Sequence, residues 1–287
     1  MTSTWIVGVD GSDNARRAAA WAVAQAIGRD VSIIVLSTWA VPLATNGMLP
    51  GAYAMTDWSE LEAELQRSTD ELATELSGNG VEVRGRIAQG PAAHVLIEAS
   101  RDADLLVVGA RGLGGVKGFV LGSVSQRCAT HAVVPTAVIG VEASLGPARR
   151  ILVGYDGSAN ARAAARWALD FAERDAAITI LDALPLAPSL AAEVVRERFP
   201  EQVGIAEAEF DEHMNVLDPD DRATHAFVIG DPRVALLDAS EHAELLVLGA
   251  RGRGRLASML LGSTTTWVLN GAAGATVVVP PPDRSTD

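Results

Sequence analysis

The chain has 287 residues, 48% of them hydrophobic and 21% charged, which is enough for about two globular domains with buried cores. This composition excludes collagen-like, disordered and disulfide-scaffold proteins, and the single cysteine suits a reducing compartment. The formal net charge of −13 argues against a nucleic acid or an anionic membrane as a general partner.

Short apolar runs alternate with Ala-rich helical patterns along the first half of the chain. One helical pattern covers Ala15–Ile27, where Ala18 and Trp21 recur at helical spacing. Several of the apolar runs are continuous, which is typical of strands buried on both faces. The alternation predicts an α/β fold with a mainly parallel sheet, right-handed crossovers and helices on both faces. The predicted strands of this half are Trp5–Val9, Val31–Ser37, Val81–Ile87, Leu105–Val108 and Thr136–Val141.

The second half repeats the first. The block Ile6–Ser12 returns as Leu152–Ser158, at an offset of 146 residues. A second block, Leu105–Gly112, returns as Leu245–Gly252, at an offset of 140 residues. Two copies of one domain therefore fill the chain, and we predict domains at 1–143 and 149–287 with the boundary in Glu142–Arg149. The predicted strands of the second copy are Ile151–Tyr155, Ile178–Leu181, Ala223–Ile229, Leu245–Leu248 and Ala275–Val279.

A glycine frame follows the fourth predicted strand of each copy, with the pattern G-x-x-G-x9-G-S. Its residues are Gly109, Gly112, Gly122 and Ser123 in the first copy and Gly249, Gly252, Gly262 and Ser263 in the second. Glycines let a backbone approach a ligand closely, and unpaired N–H groups at the start of the helix predicted after the frame would attract a phosphate. The alternative is structural, with turn-forming glycines and a serine N-cap.

The turn after the first strand of each copy is acidic. Asp10 and Asp156 stand at corresponding positions, and each is followed by Gly-Ser. An acidic residue at the carboxyl end of a strand accepts a hydrogen bond from a ribose hydroxyl or holds a metal-bound water. Ligands of such sheets bind at the carboxyl ends of strands, so we look for chemistry after the first and fourth strands. An Asp-Gly turn followed by a serine N-cap is the alternative.

With these motifs, each half of the chain resembles a universal stress protein domain, in a tandem of the kind common in actinobacteria. The resemblance covers nearly the whole chain. It implies two Rossmann-like domains, each a five-stranded parallel sheet flanked by helices with strand order 3-2-1-4-5. It also implies that the last strands of the two domains pair with each other. ATP is implied between the first strand and the glycine frame of each domain, with Mg²⁺ carried on its phosphates.

The resemblance assigns a ligand role to each motif position. The aspartates would contact the ribose, the backbone after the second strand would meet the adenine, and the frames would hold ribose and phosphates. The implied ATP-binding residues are Asp10, Thr38, Gly109, Gly112, Gly122, Ser123 and Val124 in the first domain and Asp156, Ala183, Gly249, Gly252, Gly262, Ser263 and Thr264 in the second.

The two copies differ most around the implied ligand. After the second strand, the first copy runs through Val41–Asp57, whereas the second soon becomes a predicted helix. This segment would cover the nucleotide, so the two sites are free to differ in affinity. Inside the first frame stands Lys117, the only lysine of the chain, and Ala257 takes its place in the second frame. The second frame carries Arg253 and Arg255, and such cations either pair with a triphosphate or stay solvated.

Two function classes remain. One is an ATP-binding regulatory protein of the stress response, and the alternative is a slow ATP hydrolase or another adenine-nucleotide enzyme of the same superfamily. An enzyme needs an activated nucleophile or base, and no such pair is repeated beside the frames. Binding is therefore favoured, and no catalytic residue is assigned. The five histidines show no metal-ligand spacing, and Gly252–Ala257 matches the dinucleotide fingerprint only weakly.

The sequence predicts a cytoplasmic protein, because the N-terminus lacks a signal-peptide pattern and the longest apolar runs are of strand length. A homodimer and an unidentified protein partner are expected beside ATP, and no motif specifies either. Cys128 is predicted to be an inert core residue. Trp21 and Trp167 stand at equal places in the repeat and are predicted to be core anchors.

Overall fold

The computed structural model describes residues 2–40, 58–78, 80–112, 121–186, 191–218, 220–253 and 261–281. In the first half, strands and helices alternate as the apolar runs predict. They are β1 (Ser3–Val9), α1 (Asp13–Ala26), β2 (Val31–Trp39), α2 (Ser59–Leu76), β3 (Glu82–Gln89), α3 (Ala92–Ala99), a 3-10 turn (Ser100–Asp102), β4 (Leu105–Gly109), α4 (Ser123–His131) and β5 (Thr136–Ile139).

The second half repeats this alternation. Its elements are β6 (Arg150–Tyr155), α5 (Ala159–Phe171), β7 (Ala177–Leu184), α6 (Ala192–Arg198), α7 (Pro200–Leu217), β8 (Ala223–Ile229), α8 (Pro232–Ser240), β9 (Leu245–Gly249), α9 (Ser263–Gly271) and β10 (Ala275–Val279). None of the described helices is long and apolar enough to cross a membrane.

The strands form one ten-stranded sheet in the order β3-β2-β1-β4-β5-β10-β9-β6-β7-β8. Neighbouring strands are parallel within each half, whereas β5 and β10 pair antiparallel at the seam between the halves. The predicted order 3-2-1-4-5 is confirmed in the first half and returns in the second, and the implied pairing of the last strands is observed. Because the seam is antiparallel, the carboxyl ends of the strands lie at opposite edges of the sheet in the two halves.

Most strands depart from their predicted bounds by one to three residues at an end, and β5 and β7 show the local reasons. Strand β5 ends at Ile139, before the predicted end at Val141, because the Gly140 N–H donates to the carbonyl oxygen of Gly274 at 3.0 Å and leaves the parallel ladder. Strand β7 extends beyond the predicted Ile178–Leu181, because its register with β6 and β8 continues at both ends.

Serine caps begin the first helix of each half. The Ser12 Oγ accepts a hydrogen bond from the Ala15 N–H at 3.2 Å, and the Ser158 Oγ accepts one from the Ala161 N–H at 3.1 Å. These bonds satisfy N–H groups that a helix start leaves unpaired. The alanine-rich stripe of α1 then packs on the sheet, with Trp21 fully buried within it.

The two repeated tryptophans differ in burial. Trp21 has no exposed surface, which confirms it as a core anchor. Trp167 is only partly buried and stacks on Phe171 with 4.6 Å between ring centroids. Phe171 in turn stacks on Trp5 of β1 at 6.2 Å. Trp167 therefore packs at the margin of the core, where the end of α5 meets β1 of the other half.

Apolar cores cover both faces of the sheet. Helices α1, α2, α5 and α7 share one core that runs through both halves. The opposite face carries α3, α4, α8 and α9 over two further clusters. Cys128 of α4 is fully buried in one of these clusters, and burial raises the pKa of its thiol to about 12. A thiol in this environment is a poor nucleophile, in line with the predicted inert core residue.

Side chains of α1 hold the segment that connects the two halves. The Arg17 Nη2 donates to the carbonyl oxygen of Ala143 at 2.8 Å. The buried Gln25 amide donates to the carbonyl oxygen of Gly146 at 2.7 Å and accepts the Ala148 N–H at 3.0 Å. The connection is therefore part of the packed structure, because it satisfies a buried amide.

A methyl group at Gly140 tests the seam. The added Cβ would overlap the carbonyl oxygen of Ala273, beside the antiparallel pair of β5 and β10. We expect Gly140→Ala to lower the free energy of unfolding by about 1–3 kcal/mol, the usual cost of overpacking, as measured by urea denaturation. Gly274→Ala is the matched control, because no atom lies within 4 Å of its added Cβ. Equal stability of the two variants would contradict a close approach at the seam.

Candidate functional site

The aspartate turns after β1 and β6 have the same geometry. The Asp10 Oδ1 accepts the Ser12 N–H at 3.0 Å, and the Asp156 Oδ1 accepts the Ser158 N–H at 3.0 Å. The glycine between aspartate and serine has a φ of 83° in the first copy and 74° in the second, in the left-handed region that favours glycine. The alternative of an Asp-Gly turn with a serine N-cap therefore describes the local structure correctly, and it leaves the second carboxylate oxygen for other contacts.

The second glycine of each frame lies against that carboxylate. A Cβ on Gly112 would overlap the Asp10 Oδ2, and a Cβ on Gly252 would overlap the Asp156 Oδ2. In the second half, this oxygen also accepts the Arg253 N–H at 2.9 Å. The aspartate and the glycine frame, far apart in sequence, thus meet in one place in each half.

The first glycine of each frame is required by packing inside the protein. A Cβ on Gly109 would lie 2.8 Å from the Asn14 Nδ2 and 3.0 Å from the carbonyl oxygen of the same residue. A Cβ on Gly249 would lie 2.8 Å from the carbonyl oxygen of Asn160. Both asparagines belong to the first turn of the helix after the aspartate. Contact between helix and strand explains these glycines, and their role toward a ligand stays a prediction.

The third glycine of each frame is the N-cap of the next helix. Gly122 caps α4 and Gly262 caps α9, while Ser123 and Ser263 are the first helical residues and are exposed. The serine N-cap alternative is therefore wrong for the frames. The glycine N–H groups donate to carbonyl oxygens just after the fourth strands at 2.8 and 2.7 Å, and the glycine carbonyl oxygens accept the first hydrogen bond of each helix, from Gln126 and Thr266.

Hydroxyl groups fix these helices to the ends of the fourth strands. The Ser125 Oγ donates to the carbonyl oxygen of Gly109 at 2.6 Å, and the Thr265 Oγ1 donates to that of Gly249 at 2.9 Å. The bonds hold each helix N-terminus, whose first N–H groups have no acceptor within the helix, beside the strand end. The sequence analysis missed both hydroxyls. The signal that could have found them is a hydroxyl residue two positions after the frame serine in both copies.

In the second half, these elements enclose a cavity of about 440 Å³. This volume is within the range of about 300–1,000 Å³ that is typical of small-molecule sites. All the positions implied for the second domain line it, namely Asp156, Ala183, Gly249, Gly252, Gly262, Ser263 and Thr264. Side chains that the sequence analysis did not single out for this site also line it, among them Tyr155, Asp182, Phe210 and His213.

The cavity crosses the carboxyl edge of four neighbouring strands. The glycine frame follows β9, Asp156 follows β6, Ala183 belongs to β7 and Phe227 to β8, and these strands are adjacent in that order. Phe210 of α7 completes the aromatic end. One end of the cavity is therefore rich in backbone N–H groups, the middle carries the aspartate, and the other end is apolar and aromatic.

The first half places the corresponding residues in the same way. Asp10 contacts the frame at Gly112, and Ser123 is exposed at the start of α4 with Val124 half-buried beside it. Thr38 is half-buried near the end of β2. The structure thus brings the aspartate and the frame together in this half also.

Some predicted differences between the two sites lie outside the described residues. They concern 41–57 and the interior of both frames, including Lys117, Arg255 and Ala257. Arg253 is described, is exposed and lines the cavity of the second half.

The inner part of the cavity contains a perturbed carboxyl group. Burial raises the pKa of Asp182 to about 6, and the nearby charge of Asp156 adds to the rise. Arg253 and His213 act in the opposite direction. Burial also raises the pKa of Tyr155, whose ring lies next to Phe210. A perturbed acid in a cleft is typical of a functional site.

Among the described residues, one group of acidic and histidine side chains has metal-ligating geometry. Asp218, Asp221 and His225 place their ligand atoms within 4.8 Å of one another at the start of β8. The Asp218 carboxylate already accepts the N–H groups of Arg222 at 3.1 Å and Ala223 at 2.7 Å. None of these residues lines the cavity, and the hydrogen bonds show a cluster that stabilises a turn.

The chain is similar to known proteins in sequence and in fold. A sequence model described as the universal stress protein family matches residues 1–140 and 147–280. Universal stress protein Rv2623 of Mycobacterium tuberculosis is 30% identical over 280 residues, which cover 90% of each chain. Universal stress protein Rv2005c of the same species is 29% identical over 286 residues, covering 95% of each. A crystal structure of a universal stress protein from Archaeoglobus fulgidus superposes with a TM-score of 0.72 at 20% identity, covering 99% of this chain and 98% of that one, and shares the fold.

Gly252→Ala tests the contact between frame and aspartate. The new Cβ would displace the Asp156 carboxylate from its backbone donors, so we expect the free energy of unfolding to fall by about 1–2 kcal/mol. Urea denaturation measures the change. Gly230→Ala is the control, because its added Cβ meets no atom within 4 Å. If both variants are equally stable, Asp156 does not contact the frame.

Asp182→Asn tests the environment of the carboxyl group. In the folded wild type, the pKa of about 6 exceeds the ordinary value, so stability is lost as pH rises through this range. We therefore expect the variant to melt at a higher temperature than the wild type at pH 8. The gain should vanish near about pH 3, below the ordinary pKa of an aspartate, where the carboxyl group is largely protonated in both states. Asp211→Asn, on the exposed face of α7, should show no such gain, and a pH-independent difference for Asp182→Asn would contradict the assignment.

Proposed function

The chain belongs to the universal stress protein family, and from this premise we propose that it is a regulatory protein that binds ATP in both domains. A single observation carries the proposal. The aspartate after β6, the glycine frame after β9 and the N-terminus of α9 meet in one cavity of a size suited to a small molecule. The same aspartate-to-frame contact recurs in the first half.

The layout of the cavity matches the parts of a nucleotide in order. Phosphates suit the N-terminus of α9, where Ser263 and Thr264 add hydroxyl donors beside unpaired N–H groups. The ribose suits Asp156, whose carboxylate is held in place by backbone N–H groups. The adenine suits the aromatic end, between Ala183 and Phe210.

An anionic ligand must be held against the negative charge of the whole protein. Arg251 and Arg253 line the cavity near the frame and supply local positive charge, together with the helix N-terminus. Mg²⁺ would be carried on the phosphates, because the described metal-ligating group, Asp218 with Asp221 and His225, lies outside the cavity.

The first domain would bind ATP through Asp10, Gly112, Gly122, Ser123 and Val124, with the backbone at Thr38 near the adenine. The support is the repeated geometry of the turn, the frame and the helix cap. A homodimer would have to use a surface other than the edges of β5 and β10, since those strands pair within the chain.

The direct test is to denature the purified protein and to identify any released nucleotide by mass spectrometry. Calorimetric titration of the nucleotide-free protein with MgATP then gives affinity and stoichiometry, and two sites per chain are expected. Release of phosphate during the titration would reveal the alternative, a slow ATP hydrolase. The proposal fails if no nucleotide is released and the stripped protein does not bind ATP at millimolar concentration.

Ser263→Glu separates anion binding from folding. An acidic residue at the first helical position stabilises a helix by about 0.3–1 kcal/mol, so we expect the melting temperature to stay or rise. Binding of ATP to the second domain should weaken by at least about tenfold, because the new carboxylate would stand where the phosphates are proposed. Ser123→Glu should act in the same way on the first domain.

Asn215→Glu is the matched control, since it adds the same charge at an exposed position of α7 that does not line the cavity. Calorimetry should give the wild-type affinity for this control. Undiminished binding in the double variant with Ser123→Glu and Ser263→Glu would move the anion site away from the helix N-termini.

A further inference from the structure

We propose that Asp182 determines the base specificity of the second domain, by accepting a hydrogen bond from an amino group on the bound base. The domain would then favour a base with such an amino group, as in ATP, over one with a carbonyl oxygen in its place, as in inosine triphosphate. This inference rests on the proposed nucleotide site and concerns one end of it.

The position of Asp182 in the sheet directs it to the aromatic end of the cavity. It stands opposite Tyr155 in the parallel register of β6 and β7. Along β7, Ile178 and Ile180 are buried in the core beneath α5 and α7, and alternation along a strand puts Asp182 on the same face. Phosphates at the frame and ribose at the aspartate after β6 would leave the base beside β7 and β8, within reach of this side chain.

The carboxyl group is available to a ligand. Among the described residues, no arginine, lysine or histidine nitrogen forms an ion pair with Asp182 within 4.0 Å. Charged groups on the neighbouring elements act at longer range, namely Asp156 after β6, Arg253 in the frame and His213 on α7. Glu209 of α7 also lines the cavity. The carboxylate also accepts a hydrogen bond from the Ala183 backbone N–H, and its remaining acceptor capacity gains from a donor on a ligand.

The first domain carries a hydroxyl instead of a carboxylate at this position. Ser37 takes the corresponding place, since it stands opposite Val9 in the register of β1 and β2 as Asp182 stands opposite Tyr155. Ser37 is buried, and its hydroxyl accepts a hydrogen bond from the Thr69 Oγ1 at 2.9 Å. The two copies therefore differ here: a serine hydroxyl is hydrogen-bonded to a helix in the first domain, and a carboxyl group faces the cavity in the second.

The chemistry distinguishes the two bases through donor and acceptor groups. The amino group of adenine donates to a carboxylate, whereas the carbonyl oxygen of hypoxanthine faces it as a second acceptor and leaves both groups unpaired. A protonated carboxyl group, in contrast, donates to that carbonyl oxygen. Because the pKa of Asp182 is about 6, the preference for ATP should weaken between pH 8 and pH 5.

The experiment uses the full chain with Ser123→Glu, so that calorimetry reports on the second domain. MgATP and the magnesium complex of inosine triphosphate are titrated at pH 8 and pH 5. At pH 8 we expect ATP to bind on the order of tenfold more tightly than inosine triphosphate, which is the usual effect of one charged hydrogen bond. At pH 5 the ratio of the two affinities should be smaller. Asp182→Ser, which introduces the side chain of the first domain, should bring the ratio near one at both pH values.

Asp182→Asn gives the sharper result. Its amide donates to hypoxanthine as well as accepting from adenine, so inosine triphosphate should bind more tightly than to wild type, with no change in the ratio between pH 8 and pH 5. A ratio that still changes with pH in this variant would assign the effect to a group other than Asp182 and overturn the proposal. Asp211→Ser is the control with the same loss of charge outside the cavity, and it should keep the wild-type ratio.

The outcomes separate this inference from the proposed function. If ATP binds but the ratio is the same in wild type and Asp182→Ser, the specificity role is wrong while the nucleotide site stands. If neither nucleotide binds to the wild type, both proposals are wrong. Circular dichroism spectra and melting curves of each variant establish that a lost preference does not come from unfolding.

Discussion

The antiparallel pairing of β5 with β10 is the contact on which the rest of the molecule depends. It removes two strand edges that would otherwise be exposed, and it turns two sheets into one. The core beneath α1 and α5 consequently runs through both halves. The seam also couples the halves locally, since the Leu121 N–H at the end of the first frame donates to the Asn270 Oδ1 of α9 at 3.3 Å. Gly140 permits the close approach of backbones on which this arrangement relies.

Each candidate site combines local backbone conformations with one contact between residues far apart in the sequence. A left-handed glycine, a serine cap and a glycine cap each follow from local backbone geometry. These local features form a site because β1 lies beside β4 and β6 lies beside β9. This pairing brings an aspartate to a glycine frame at the carboxyl edge of the sheet in each half. In the proposed function the ligand groups are mainly backbone N–H donors at a helix start, which would let an acidic protein hold an anion there.

Among the described residues, two corresponding positions of the copies differ in the neighbours that their side chains contact. Trp21 is buried within its own domain, whereas Trp167 stacks at the contact with the other half. The Ser37 hydroxyl is hydrogen-bonded to Thr69, whereas the Asp182 carboxyl group faces a cavity. The same fold thus supports two different environments. Burial of the Asp182 carboxyl group makes folding less favourable at neutral pH, and the proposed role of this group is to bind the base.

The sequence by itself determined the two copies, the order of strands and helices, and the positions of the aspartates and glycine frames. Periodicity and glycine spacing are local properties, and a repeated motif makes them visible twice. Only the tertiary structure decided that Gly109 and Gly249 pack on asparagines, that the frame serines are not caps, and that Asp182 lies in the cavity. The physical reason is that these facts depend on which atoms other elements bring into contact. A sequence pattern specifies the face of a strand, but the partner that covers the face comes from packing.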